Sequence, residues 1–237
     1  MCLVTTRKIT RLLPGGPAPV TERLAVEVTL RIVLDSEEVA LLRCSPGHER
    51  ELALGHLICQ GYLRPDISAV RFELDGNTCR VSSTTDNRQS SQTTSATPPS
   101  HTSRSLGSLL SWLDRMVAKQ VTLRQTGGTH SALVFSLDGA RYAFAEDIGR
   151  HNAVDKAVGS AVLQEIDLRS SGLLVSSRIS EVTASKCTNA GIPLLASIAV
   201  ATDAAVDRAL REGLTMIGSL SETGPWLYSE GKIRIVV

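Results

Sequence analysis

Apolar and polar positions alternate at period two over residues 24–34, turn at 35–38 and alternate again over 39–44, which predicts a β-hairpin. Before it, residues 1–20 read as an irregular arm closed by Pro14, Gly15, Gly16, Pro17, Ala18 and Pro19, a cluster of breakers. After it the period lengthens. Ser45, Pro46, Gly47, His48 and Glu49 start a helix whose apolar side is Leu52, Leu54, Leu57 and Ile58, ended by Gly61. A second hairpin is expected over 72–81 around Asp75, Gly76 and Asn77. Residues 82–105 hold almost only Ser, Thr, Gln, Asn, Arg and Pro, which bury too little to offset their ordering entropy and read as a mobile loop.

A helix follows over 106–117, with Leu109, Leu110, Leu113, Met116 and Val117 on one face. The stretch 125–130 is a glycine turn, and 131–136 with 141–145 forms a hairpin across Asp138 and Gly139. Val154, Ala157, Val158, Ala161 and Val162 mark a central amphipathic helix. From there the rhythm is strand 172–176, helix 180–189, strand 193–200, helix 202–212 capped by Thr202, and strand 214–218. A closing hairpin is expected around Glu230 and Gly231. The β-α-β-α-β order predicts an α/β domain with helices on the sheet faces.

Residues 145–156 crowd six ionisable side chains and an Asn into the turn between an apolar strand and that central helix. In open α/β sheets ligands bind outside the carboxyl ends of strands, where helix amino termini offer N–H groups to anions. The competing reading is a solvated turn with an internal ion pair. Two further polar turns, 126–130 and 176–181, can converge on it. Together they would offer the amides of Gly127 and Gly128, the cations Arg150, Arg178 and Lys186 for phosphate, and Glu146, Asp147 and Asp155 to orient bases. His130 and His151 are expected to contact the ligand, with Asn152 and Ser180 in the same turns. His48, His56 and His101 read as surface or packing residues.

Lys plus Arg number 25 against 24 Asp plus Glu, so no nucleic-acid or anionic-membrane footprint appears and any anion site is local. Five cysteines stand singly at 2, 44, 59, 79 and 187, without C-x-x-C or metal-like spacing. Neither a disulfide framework nor a zinc site is expected. Cys59 and Cys187 read as buried apolar residues, and Cys79, before the polar loop, is the cysteine to test as reactive. Without a signal sequence or a membrane-length apolar run, a cytoplasmic protein is expected.

Six blocks carry a family likeness: 22–27, 46–57, 126–130, the run Glu146-Asp147-Ile148-Gly149-Arg150-His151-Asn152-Ala153-Val154-Asp155-Lys156, 177–181 and 190–193. In that order they resemble the FdhD/NarQ family. The resemblance implies a cytidine-deaminase-like fold, a three-layer α/β/α core with an additional N-terminal β-hairpin and helix region. Its parts here are 1–81, the loop 82–105 and the α/β domain 106–237. It implies a formate dehydrogenase accessory sulfurtransferase. Such a protein takes persulfide sulfur from a cysteine desulfurase and passes it to molybdenum bis(molybdopterin guanine dinucleotide), the client cofactor, with GDP as an in vitro ligand, no zinc, and a homodimeric state. By position, the guanine-dinucleotide segment is Ser219, Leu220, Ser221, Glu222, Thr223 and Gly224.

Two departures stand out. Where the family commonly has an aromatic residue and then Arg-Gly, this chain has Ser219, Ser221 and Glu222. The family's loop C-x-x-C is missing, and no cysteine occurs between Arg80 and Lys186. A persulfide needs a thiolate sulfur, so either Cys79 takes that role or transfer is lost. That leaves a sulfurtransferase or a non-catalytic module that binds and delivers the cofactor or a guanine nucleotide. A zinc nucleobase deaminase would need H-x-E with P-C-x-x-C, and neither is present.

Overall fold

The computed structural model describes residues 3–68, 70–83 and 102–237. The chain opens with an antiparallel ribbon, β1 (Val4–Leu13) and β2 (Gly16–Ala25). Next come β3 (Val28–Leu34), β4 (Glu37–Cys44), α1 (Glu49–Cys59), β5 (Val70–Asp75), β6 (Thr78–Ser83) and β7 (Thr102–Ser105). Helices α2 (Leu106–Lys119) and α3 (Val121–Thr126) lead to β8 (His130–Ser136), β9 (Tyr142–Asp147) and α4 (Arg150–Leu163). A 3-10 turn at Leu168–Ser170 precedes β10 (Ser171–Val175), α5 (Glu181–Asn189), β11 (Leu194–Ser197), α6 (Asp203–Glu212) and β12 (Thr215–Gly218). Strands β13 (Trp226–Ser229) and β14 (Ile233–Val236) end the chain.

The ribbon corrects the expectation of an irregular arm. Pro17 and Pro19 pair with Leu12 and Thr10, the alternate positions of a two-stranded ladder whose N–H groups face away from the partner. A ribbon with two free edges tolerates proline there, and the Pro14-Gly15 step makes the turn. The alternation at 24–34 is also two strands rather than one, broken at Val26 and Glu27, where the Val26 N–H donates to the Leu3 carbonyl (3.0 Å).

The central sheet has the order β13-β12-β11-β10-β8-β9, with β10, β11 and β12 parallel and the other neighbours antiparallel. Alternate strand residues enter two cores. Ala132, Val134, Leu173, Val175, Leu195 and Met216 pack with α1, α4, α5 and α6. Leu133, Phe135, Leu174 and Ile217 pack with Leu109, Trp112 and Met116 of α2. Helices therefore cover both faces of the sheet, as a strand buried on both sides requires.

A second sheet, β4-β3-β6-β5, covers α1, which is buried at every residue from Leu52 to Cys59. Helices α1 and α4 cross with their backbones in contact. A Cβ on Gly55 would overlap the Asp155 carbonyl, and one on Gly159 would overlap that of Glu51. That approach brings His56 to Asp155.

The expected closing hairpin does not form. Strand β13 pairs with β12, while β14 runs parallel to β7. Thr215 Oγ1 fixes the crossover, donating to the Ile233 carbonyl (2.7 Å) and accepting from the Ile233 and Gly231 N–H groups (3.0 Å each). Residues 82–83 and 102–105 are thus strand rather than loop. The rest of the loop expectation, 84–101, lies outside the described residues. Thr202 precedes α6 without a side-chain cap bond. Among the described residues, no helix is long and apolar enough to cross a membrane.

Candidate functional site

Strand register brings the polar turns to one edge of the central sheet. His130 pairs with Asp147, Ala132 with Val175, Val175 with Ser197, Ala196 with Ile217, and Gly218 with Trp226. The turns at 127–129, 148–149, 176–180, 198–202 and 219–224 therefore follow one another along that edge. Crosslinks tie them together. The Ser176 N–H donates to the Ser131 carbonyl (3.0 Å), that of Ser219 to Ala199 (2.9 Å), and that of Ile179 to Val200 (3.0 Å).

Several of the expected ligand residues turn inward instead. The Asp147 carboxylate is fully buried and pairs with Lys156 Nζ at 2.8 Å. It also accepts from the N–H groups of Ser45 (3.0 Å) and Gly149 (2.8 Å) and from Asn152 Nδ2 (3.1 Å). Lys156 Nζ donates to the Ser45 carbonyl (2.7 Å) and Asn152 Nδ2 to that of Arg43 (2.7 Å). This network clamps the β9–α4 turn to the end of β4. The turn does hold an internal ion pair, but a buried one rather than a solvated one.

Asp155 and Lys186 form a second buried pair, bidentate at 2.7 and 2.8 Å, with His56 Nδ1 at 3.1 Å. Burial opposes the charge on Asp155, but the His56 hydrogen bond and Lys186 outweigh it and hold the carboxyl below its ordinary range. Lys186 is therefore not available to phosphate, nor Asp155 to a base.

Glu146 has a role no local pattern announced. Its carboxylate accepts from the N–H groups of Thr122 (2.9 Å) and Leu123 (2.8 Å) and from Thr129 Oγ1 (3.2 Å), capping α3, a helix the sequence reading missed. Gly127 closes that helix in the left-handed region at φ 65°. Ser180 caps α5 by accepting from the Thr183 N–H (3.3 Å). Leu220 is buried in the α2-side core.

What remains open along the edge is basic and small. Arg150 and Arg178 are exposed, and neither makes an ion pair among the described residues. Between them stand His130 and His151, each half-buried. Burial and the Arg150 charge push both imidazoles below their ordinary pKa. His151 Nε2 is buried and has no hydrogen-bond partner among the described residues. Gly128, Ser219, Ser221, Glu222, Thr223 and Gly224 complete the edge, with Ser219 at φ 51° and Gly224 at φ 120°. A cleft of about 350 Å³ opens at the opposite edge of the sheet, but its Asp138 and Asp167 are occupied in turns and Arg141 caps the carbonyls of Gln164 and Glu165.

A family model described as FdhD/NarQ matches residues 25–103 and 76–235. The chain belongs to the FdhD/NarQ family. Among its relatives, the sulfur carrier protein FdhD of Streptomyces coelicolor is 31% identical, covering 94% of this chain and 93% of its own length. That of Mycolicibacterium paratuberculosis is 30% identical over 97% and 98%, and that of Sulfolobus acidocaldarius 29% over 89% and 90%. The fold matches the crystal structure of a candidate formate dehydrogenase accessory protein from Desulfotalea psychrophila, with a TM-score of 0.83, 22% identity and coverage of 96% and 97%.

Cys44, Cys59, Cys79 and Cys187 are all buried. Burial pushes the Cys44 and Cys79 thiols up to about 11 and raises Cys59 and Cys187 as well. Cys79 is thereby corrected as a reactive candidate. It points from β6 into the core, while Arg80, next along the strand, points to the opposite, exposed face and cannot favour its thiolate. Among the described residues, no group of His, Cys, Asp and Glu side chains is arranged to hold a metal ion.

Proposed function

We propose that this FdhD/NarQ chain is an accessory protein for formate dehydrogenase that holds molybdenum bis(molybdopterin guanine dinucleotide), as cargo, along the carboxyl edge of its central sheet during cofactor maturation. One observation carries the reading. Arg150 and Arg178 are without an ion pair among the described residues, on an edge where Asp147 and Asp155 are neutralised internally by Lys156 and Lys186. Two cations left free beside open backbone turns suit phosphate. Glu222 offers two acceptor oxygens to the paired donors of a guanine edge. The layer order supports the cytidine-deaminase-like core, and the printed title of the structural match supports formate dehydrogenase as client; a cysteine desulfurase as donor is part of the proposal.

Calorimetry with GDP is the test. Wild type binds, and an Arg150→Ala, Arg178→Ala double variant loses about 1.5–3 kcal/mol for each phosphate contact removed. Unchanged affinity in the double variant refutes the site.

The buried cysteines favour a second reading of the sulfur step, in which this chain binds and delivers the cofactor without carrying sulfur. Mass spectrometry after incubation with a cysteine desulfurase separates the two, since a trapped persulfide decides for a carrier. A cytoplasmic homodimer remains the family-based proposal, checked by light scattering on the purified chain.

A further inference from the structure

The β1–β2 ribbon is roughly 30 Å long, and every residue of β1 from Thr6 to Leu13 is exposed. Its foot rests on α3, with the Ala25 Cβ 3.4 Å from where a side chain on Gly128 would begin. A two-stranded ribbon buries little and is marginal alone in water, so what this one lacks is a further strand. The two edges are not equivalent. Leu12 pairs with Pro17 and Thr10 with Pro19, and proline has no N–H to give. Those are therefore the non-hydrogen-bonded pairs of the ladder, whose backbone groups point outward, and Lys8 and Thr6 continue the alternation along β1.

On β2 the outward positions are blunted by Pro17 and Pro19. On β1 no proline intervenes. Thr6, Lys8, Thr10 and Leu12 present outward N–H and C=O groups that meet no other backbone group among the described residues. The protection of this edge is charge. Arg7, Lys8 and Arg11 stand within five residues, and none makes an ion pair among the described residues. Two copies of β1 set edge to edge would bring two sets of these cations directly or diagonally opposite each other, which is destabilising. A second copy of this chain is thereby disfavoured, and an acidic strand is favoured.

We propose that the outer edge of β1 is a strand-addition site for an extended acidic segment of another protein. The segment pairs antiparallel with Thr6 to Leu12 and reads, from its amino end, acid, any residue, apolar, acid, acid. Its acids fall opposite Arg11, Lys8 and Arg7, and its apolar residue opposite Ile9, which shares a face of the ribbon with Arg7 and Arg11. Main-chain hydrogen bonds to the open edge supply affinity, and the alternating side chains supply selection. The site is independent of whatever the central sheet carries. Yet the foot of the ribbon stands beside the 127–129 turn, so a protein held on β1 is brought next to that edge.

The test is fluorescence anisotropy of the full chain with a labelled peptide, Val-Thr-Glu-Thr-Val-Glu-Glu-Thr-Val. Wild type binds it, and more weakly as salt rises. Thr10→Pro removes one outward N–H while keeping every charge, at the kind of position that Pro17 and Pro19 already occupy. It weakens binding at least about fivefold. Exchanging Arg7, Lys8 and Arg11 for Gln weakens it as well. A second measurement leaves the protein untouched: N-methylation of the peptide residues opposite Lys8 and Thr10 abolishes binding, and N-methylation opposite Arg7 and Ile9 does not. No binding by wild type, equal binding by Thr10→Pro, or indifference to which peptide nitrogens are methylated overturns the proposal. So does equal binding of the same residues in scrambled order, which would show that any polyanion suffices.

Discussion

Asp147 and Lys156 form an ion pair, 2.8 Å from carboxylate to Nζ, with neither side chain more than 2% exposed. The pair holds the β9–α4 turn against the end of β4. Lys156→Met leaves the Asp147 charge buried without its cation, and we expect a loss of about 3–5 kcal/mol in urea denaturation. An added Asp147→Asn restores part of that loss. If the double variant is no better than Lys156→Met alone, the charge is not what the lysine balances.

Gly159→Ala is expected to separate α1 from α4, since its Cβ would overlap the Glu51 carbonyl, a backbone atom that cannot swing aside. The anticipated loss is about 1–3 kcal/mol or more. A control, Gly107→Ala, meets nothing within 4 Å and should be neutral or mildly stabilising. Equal denaturation midpoints for the two variants would contradict the close crossing.

The folded state depresses the pKa of His130 and His151 below the reference 6.5. The unfolded chain therefore takes up protons first as pH falls, so stability is complete well above 6.5 and declines as pH drops through that value towards the folded pKa. His48, raised by its hydrogen bond to Glu51, acts with the opposite sign. The informative comparison is wild type against a His130→Gln, His151→Gln double variant at pH 7.5 and 5.5. The double variant should lose less on acidification. A steeper loss in the variant would mean that these imidazoles are not the proton-linked groups.

Thiol reactivity separates carrier from binder. Cys44, Cys59, Cys79 and Cys187 should resist a chromogenic disulfide reagent in the native chain and react once it is unfolded. In a strain lacking its FdhD sulfur carrier, wild type and Cys79→Ser should both leave formate dehydrogenase inactive, and a version carrying Cys-x-x-Cys within 84–101 should restore it. Rescue by wild type that persists in Cys79→Ser would show a sulfur route independent of Cys79 and of the absent motif.

Local periodicity was enough to specify β3 with β4, β5 with β6, β8 with β9, and the run from β10 to β12, because each strand or helix there announces itself within a dozen residues. It also placed the polar turns at the ends of consecutive elements, where register then gathers them. The ribbon was missed because proline in a strand is legible only once both edges are known to be free. Likewise, β14 pairs with β7, more than a hundred residues away, and no turn signal records that.

The division of the Glu146 to Lys156 run was the tertiary structure's decision. Its polar residues look alike in sequence, all beside one turn. Yet Asp147 meets Ser45 across 102 residues and Lys156 meets the same residue across 111, while Asp155 finds Lys186 and His56. The helical repeat turns Asn152, Asp155 and Lys156 towards α1 and β4, and leaves Arg150 outside. Buried charges must be paired, so those residues became the site's foundation, and only the unpaired remainder is free to bind.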